Sequence, residues 1–238
     1  MNSPARIGRA RAQPSWLRQV WLVLRKDLAI ERRSGEITTT SAFFALLVVV
    51  ISSMAFLGTR ESGRALAGGV VWISVAFALV LSLGRGWARE REGGAFEGLL
   101  TTPLRPGALF AGKTLGLMVF LVAIQLVVIP AAALFFHLDL LRVGPGLAAI
   151  SLFTTPGIAA AGTLFGVMTV RTRARDLALS MVLFPLLSPA LLVAVAASRT
   201  LLEGATLLEL GGFFRLLAVF GLTFWIGGLA LFGTLVED

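Results

Sequence analysis

From residue 38 onward the chain alternates long apolar blocks with short polar connections. The blocks fall at about 38–57, 66–83, 115–136, 147–169, 177–197 and 213–235. A helix of ~20 apolar residues spans the hydrocarbon of a bilayer, so the pattern predicts an all-α membrane protein with six transmembrane helices. Ahead of the blocks, Trp16, Leu17, Val20, Trp21, Leu24 and Leu28 recur at helical spacing, with Arg18, Arg25, Lys26 and Arg32 on the other side. A helix of that kind lies in the membrane interface, its tryptophans at headgroup level. Ser15 is placed to cap its start and Gly35 to end it. Residues 1–14 are polar and Arg-rich, without the apolar core of a cleavable signal peptide. The expected division is a disordered basic tail (1–14), an interfacial amphipathic helix (15–35) and a six-span transmembrane domain (36–238).

Composition agrees with the pattern. Of 238 residues, 57% are hydrophobic and 14% charged, and the mean hydropathy is +0.88, whereas a soluble domain carries about 25% charge. The chain has no cysteine, which excludes disulfides and thiolate chemistry. The net charge of +8 would suit nucleic acid, but topology accounts for it. Sixteen of the 21 Lys and Arg fall in the N-terminal segment and in the connections 84–114 and 170–176; five fall on the opposite side. The positive-inside rule then puts both termini in the cytoplasm, and no nucleic-acid partner is required.

Residues 107–114, GALFAGKT, satisfy the pattern G-x-x-x-x-G-K-[ST] of a nucleotide-binding P-loop. That loop works between a buried strand and a helix, where its backbone N–H groups surround phosphates. Here TTPLRPG precedes it, with two prolines that a central strand does not tolerate, and lipid-grade sequence follows. The match is therefore read as a decoy. Lys113 is expected to snorkel at the interface or to meet lipid phosphates.

The connection RGWAREREGGAFEGLLTTPLRPG (85–107) carries more information. Arg85–Glu92 extends the second span as a charged helix that includes Arg89, Glu90 and Glu92. Gly93 and Gly94 break it, and residues 95–100 form a short second helix with Phe96, Leu99 and Leu100 on one side and Glu97 among them. The prolines beyond stop that helix. A short helix with one aromatic and two leucines beside carboxylates suits a partner's groove; equally, it suits a hairpin that covers its own bundle.

These features together, with R-x-x-x-x-E-G-G-x-F-E-G-L-L-x-x-P-L followed by A-G-K-T-L-G, resemble the permeases of type-2 ABC exporters. F-x-T-T-P-G in the fourth span and V-L-F-P-L-L-S-P-A-L-L (182–192) in the fifth narrow the resemblance to the haem exporter protein B (CcmB) family of cytochrome c maturation. It covers about Trp16 to Ala197. The resemblance implies a non-catalytic multi-pass permease of the bacterial inner membrane, with ATP and magnesium on a separate ATPase chain (CcmA-like). In such permeases the helix between spans two and three is the coupling helix, here Arg89, Glu90, Glu92, Gly93, Gly94, Phe96, Glu97, Leu99 and Leu100. Further partners it implies are a haem-handling membrane subunit (CcmC-like), a small accessory subunit (CcmD-like) and a periplasmic haem chaperone (CcmE-like). Haem is then a substrate, translocated or released on a loaded chaperone, and no cofactor is assigned to the chain itself. A type-2 permease for a lipid, polysaccharide or drug is the alternative.

His137, the one imidazole of the chain, stands at the external end of span three, either as a haem-iron ligand or as an interfacial hydrogen-bonding residue. Arg171, Arg173, Arg175 and Asp176 are topology determinants that could also touch the ATPase or anionic lipid. Pro156, Pro185 and Pro189 read as hinges or as fixed bends. Gly162-x-x-x-Gly166, beside Gly157, gives a smooth stripe for helix packing, internal or against a partner. An intramembrane enzyme would need clustered acids, histidines or metal ligands, and the acids here are scattered; a purely structural scaffold subunit has the same sequence signature as a permease.

Overall fold

The computed structural model describes residues 14–56, 60–92, 104–169 and 175–237, and every regular element among them is a helix. The helices are α1 (Trp16–Ser34), α2 (Glu36–Ala55), α3 (Arg60–Glu92), α4 (Pro106–Phe135), α5 (Leu140–Thr169), α6 (Arg175–Leu202) and α7 (Gly211–Glu237). Six of them, α2 to α7, are long and apolar enough to cross a bilayer, so the six-span expectation holds. Successive spans run antiparallel. One end of the bundle, the basic end, gathers α1, the α1–α2 corner and the ends of α3 and α4. The other holds the turns after α4 and α6.

Burial sorts the spans by position. In the membrane-length windows of α5 and α3, 72% and 67% of residues are buried, against 22% in α2 and α7. Hence α5 and α3 are central, and α2 and α7 lie outermost with apolar faces left for lipid. The central helices can pack tightly because small residues replace large ones at the crossings. Gly157 on α5 packs on the backbone of Gly221 on α7, where a Cβ at Gly157 would lie 3.1 Å from the Gly221 Cα, and a Cβ at Gly162 would lie 2.9 Å from Leu83 on α3. Gly162 therefore serves internal packing. In place of a hydrophobic driving force, a membrane bundle relies on such close approach and on interhelical hydrogen bonds. Among the described residues such buried bonds include that from Trp72 Nε1 to Ser198 Oγ at 2.9 Å, linking α3 to α6, that from Gln125 Nε2 to Thr155 Oγ1 at 3.0 Å, linking α4 to α5, and a 3.5 Å contact of the Ser41 and Ser82 hydroxyls, linking α2 to α3.

Four boundaries differ from the sequence reading. α3 begins at Arg60 rather than near 66, so residues 60–65 of the expected connection are helical. α4 begins at Pro106 rather than near 115, because GALFAGKT is itself helical, with proline at the first position where its missing N–H costs nothing. α5 begins at Leu140 rather than near 147, because the Asp139 carboxylate accepts the N–H groups of Leu141 and Arg142 and starts the helix ahead of the Gly-Pro-Gly run. The fifth span, α6, runs on to Leu202, past the expected 197. Pro130 and Pro145 also lie within helices, in addition to the three intraspan prolines noted above.

Candidate functional site at the basic end of the bundle

The expected coupling element straddles the limit of the described structure. Gly93, Gly94, Phe96, Glu97, Leu99 and Leu100 lie outside the described residues, as do Arg171 and Arg173. Arg89, Glu90 and Glu92 lie on α3, and Arg175 and Asp176 open α6; of these five, the structure describes the side chain of Arg89. The helices on either side of residues 93–103 form the frame, where α3 leaves the bundle and α4 re-enters it.

That frame is held by α1. Its bundle-facing stripe is Gln19, Val23, Asp27 and Glu31, one residue per turn, a spacing that keeps side chains on one face. Gln19 is fully buried. Its Oε1 accepts the Arg105 N–H at 3.0 Å, so α1 supplies the capping group that Arg105 itself does not give to α4. Val23 packs on Gly112 so closely that a Cβ there would stand 2.6 Å from Val23 Cβ and 3.0 Å from the Val20 carbonyl oxygen. Asp27 Oδ2 pairs with Lys113 Nζ at 2.9 Å, and Lys26 Nζ lies 3.2 Å from Asp27 Oδ1. Glu31 closes the stripe. Its Oε1 accepts the Thr38 N–H at 2.7 Å and the Thr38 hydroxyl at 2.8 Å, and its Oε2 lies 3.5 Å from Arg89 on α3.

The Glu31 contact has a local cause. Gly35 turns the chain in the left-handed conformation (φ 59°), ending α1 and starting α2 at one residue. Glycine has no side chain to cap α2, and the Glu31 carboxylate takes over, satisfying an orphan N–H and placing negative charge at a helix N-terminus. Arg89 and Arg85 then reach Glu36 at 3.2 and 3.4 Å. One helix thus bonds both helices that flank residues 93–103: α3 through Arg89, and α4 through Gln19, Gly112 and Asp27.

The geometry settles the P-loop pattern. Residues 107–114 are the first turns of α4, not a loop, so their N–H groups cannot converge on phosphate. Thr114, which would be the metal-binding hydroxyl, is fully buried, and its Oγ1 has no hydrogen-bond partner among the described residues. Lys113 corrects the sequence expectation. Its side chain is 14% exposed and paired with Asp27, turned into the bundle rather than to lipid phosphate. Ser15 is a second correction: it occupies the N-cap position without a side-chain bond, and Gln19 bonds the preceding backbone at Pro14 instead.

His137 sits at the far end. It follows α4 in the left-handed region (φ 55°), with its own N–H directed to the Leu134 carbonyl at 3.4 Å and the next N–H, of Leu138, bonded to Ala133 at 2.8 Å. This is a Schellman cap with histidine in the place usually given to glycine. Its position is explained by chain reversal. Among the described residues no group of three or more His, Asp or Glu could hold a metal ion.

Sequence reasoning had not singled out Gln19 and Asp27, because both interrupt an apolar stripe. The signal was present in the i, i+4 spacing of Asp27 and Glu31 on a helix otherwise rich in arginine.

Comparison with known proteins agrees with this architecture. The model of the CcmB protein family matches residues 18–232. Heme exporter protein B of Pseudomonas aeruginosa is 26% identical over 183 residues, covering 77% of this chain and 81% of that protein. The Paracoccus denitrificans protein of the same name is 30% identical over 196 residues, covering 77% and 84%. A match across nearly all seven helices, on a bundle with six membrane-length spans, places the chain in the CcmB protein family.

Proposed function

We propose that the chain is the permease subunit of an ABC-type haem exporter of the bacterial inner membrane, with both termini in the cytoplasm, and that it receives work from an ATPase carried on another chain. The relatives' name, heme exporter protein B, supports the substrate. The observation that carries the coupling is the α1 brace. The segment 93–103 is flanked by two helices that Gln19, Asp27 and Glu31 fasten to one another through α1. Force applied to Phe96, Glu97, Leu99 and Leu100 by a closing ATPase dimer would reach α3 and α4 together, as a rigid-body displacement, rather than bend one helix alone. α3 is central to the bundle, so such a displacement changes the packing of the spans. Arg171, Arg173, Arg175 and Asp176 form a second contact with the ATPase. The haem-handling, accessory and chaperone partners implied by the family belong to this reading.

Co-purification tests it. Phe96→Ala and Glu97→Lys are expected to weaken retention of the ATPase subunit in detergent while leaving the bundle folded, with Leu208→Ala at the far end as control. Undiminished retention in both variants overturns the coupling assignment. Export of haem is tested separately, by loading of a periplasmic haem acceptor in cells that carry the variants.

A further inference from the structure

Beneath the α1 brace lies a cavity of about 590 Å³, walled by α1, α2, α3 and α4, with Thr163 of α5 at its back. Its volume falls within the roughly 300–1,000 Å³ of ligand sites. Its two halves differ. The interior is apolar, with Ile37, Leu83, Leu117, Phe120 and Ala123 among its lining. The mouth carries Lys26, Arg32, Arg89 and Lys113 against Asp27 and Glu31, a surplus of two positive charges. Both carboxylates are already engaged, Asp27 with two lysines and Glu31 with Thr38 and Arg89.

The depth of the cavity identifies its occupant. The wall formed by α4 runs from Lys113 to Ala123. At 1.5 Å per residue that is about 15 Å, half of a ~30 Å hydrocarbon core and so the depth of one leaflet. The edge toward the bilayer is open, since the lining residues Val119 and Ile30 are exposed. A positive collar at headgroup level above an apolar shaft one leaflet deep matches a two-part molecule. We infer that this cavity is a binding site for an anionic phospholipid, the phosphate at Lys26 and Arg32 and an acyl chain between α2 and α4. The inference needs only that the bundle sits in a membrane, and is independent of the transported substrate.

Native mass spectrometry of the full chain tests the site, after exchange into detergent supplemented with either phosphatidylglycerol or phosphatidylcholine. Phosphatidylglycerol is expected to stay bound at one equivalent and phosphatidylcholine to be lost. In the Lys26→Gln/Arg32→Gln variant, retention falls about 25-fold, the effect of two basic charges near an anionic surface. Arg18→Gln/Arg33→Gln removes the same charge from α1 outside the cavity and leaves retention unchanged. Ala123→Phe fills the shaft and expels the lipid while the mouth stays intact. Equal retention of the two lipids, an equal loss in the Arg18/Arg33 variant, or stoichiometric displacement by haemin would each overturn the assignment. Should Ala123→Phe fail to fold, the two charge variants, neither of which adds bulk, decide alone.

Discussion

Gly112→Ala adds one methyl group where α1 crosses α4, and the structure fixes what that methyl meets. Its Cβ would stand 2.6 Å from Val23 Cβ, 2.8 Å from Val23 Cγ1 and 3.0 Å from the Val20 carbonyl oxygen. Ordinary carbon–carbon contact begins near 3.5 Å, so α1 must withdraw by about 1 Å. Trimming Val23 to alanine brings no relief, because the nearest atom is its Cβ and the next obstacle beyond the side chain is backbone. Withdrawal also strains both neighbouring ties, the 3.0 Å bond from Arg105 to Gln19 and the 2.9 Å pair of Lys113 with Asp27. Overpacking costs about 1–3 kcal/mol, and the weakened hydrogen bond about 1 kcal/mol more. A total near 3 kcal/mol corresponds to a drop of roughly 6–12 °C in Tm for a chain of this size. Gly227→Ala is the matched control: its Cβ meets nothing within 4 Å, and the exchange should raise stability by up to about 1 kcal/mol through helix propensity. Thermal unfolding followed by tryptophan fluorescence in detergent reads both. The reasoning fails if Gly112→Ala melts within about 2 °C of the parent, or if Gly227→Ala is the more damaging of the two.

Other substitutions probe separate features. Lys113→Met and Asp27→Asn should each weaken the brace, and the exchange Asp27→Lys with Lys113→Asp should recover much of the lost stability and ATPase retention; a nucleotide-binding lysine would not be rescued by reversal of the pair. An azido-ATP photoprobe should not label 107–114, because those residues are helical. Trp72→Phe removes the buried bond to Ser198 and should cost about 1–2 kcal/mol, with a coupling to Ser198→Ala in a double-mutant cycle. His137→Gly relieves a left-handed residue and should raise stability by about 1 kcal/mol; loss of haem delivery in that variant would return His137 to a role beyond the helix cap.

The spans were legible because a bilayer imposes length and apolarity on every crossing element, and each of the six blocks met both demands. Their ends were less legible where the boundary carries no polar break. GALFAGKT reads as a loop motif by its glycines, yet Gly112 is there so that α1 can lie against α4, a reason that exists only in three dimensions. The amphipathic helix was visible from Trp16 to Leu28, but the tryptophans face outward and the bundle is gripped by Gln19, Asp27 and Glu31. A hydrophobic-stripe argument cannot anticipate polar residues on a buried face, since their partners lie 58 to 86 positions away or across a glycine corner. Lys113 illustrates the same limit: nothing local distinguishes a snorkelling lysine from one that pairs inward.

The central claim is that an ATPase on another chain seats on residues 93–100 and moves α3 and α4 as one body. A photo-cross-linking amino acid placed at Phe96 in cells, with a second at Leu208 as reference, tests it most directly. The account predicts a covalent adduct with the ATPase subunit from position 96, enhanced when that subunit is trapped with ATP, and none from position 208. An adduct from 208 instead, or modification of position 96 by an impermeant reagent added outside the inner membrane, would contradict it.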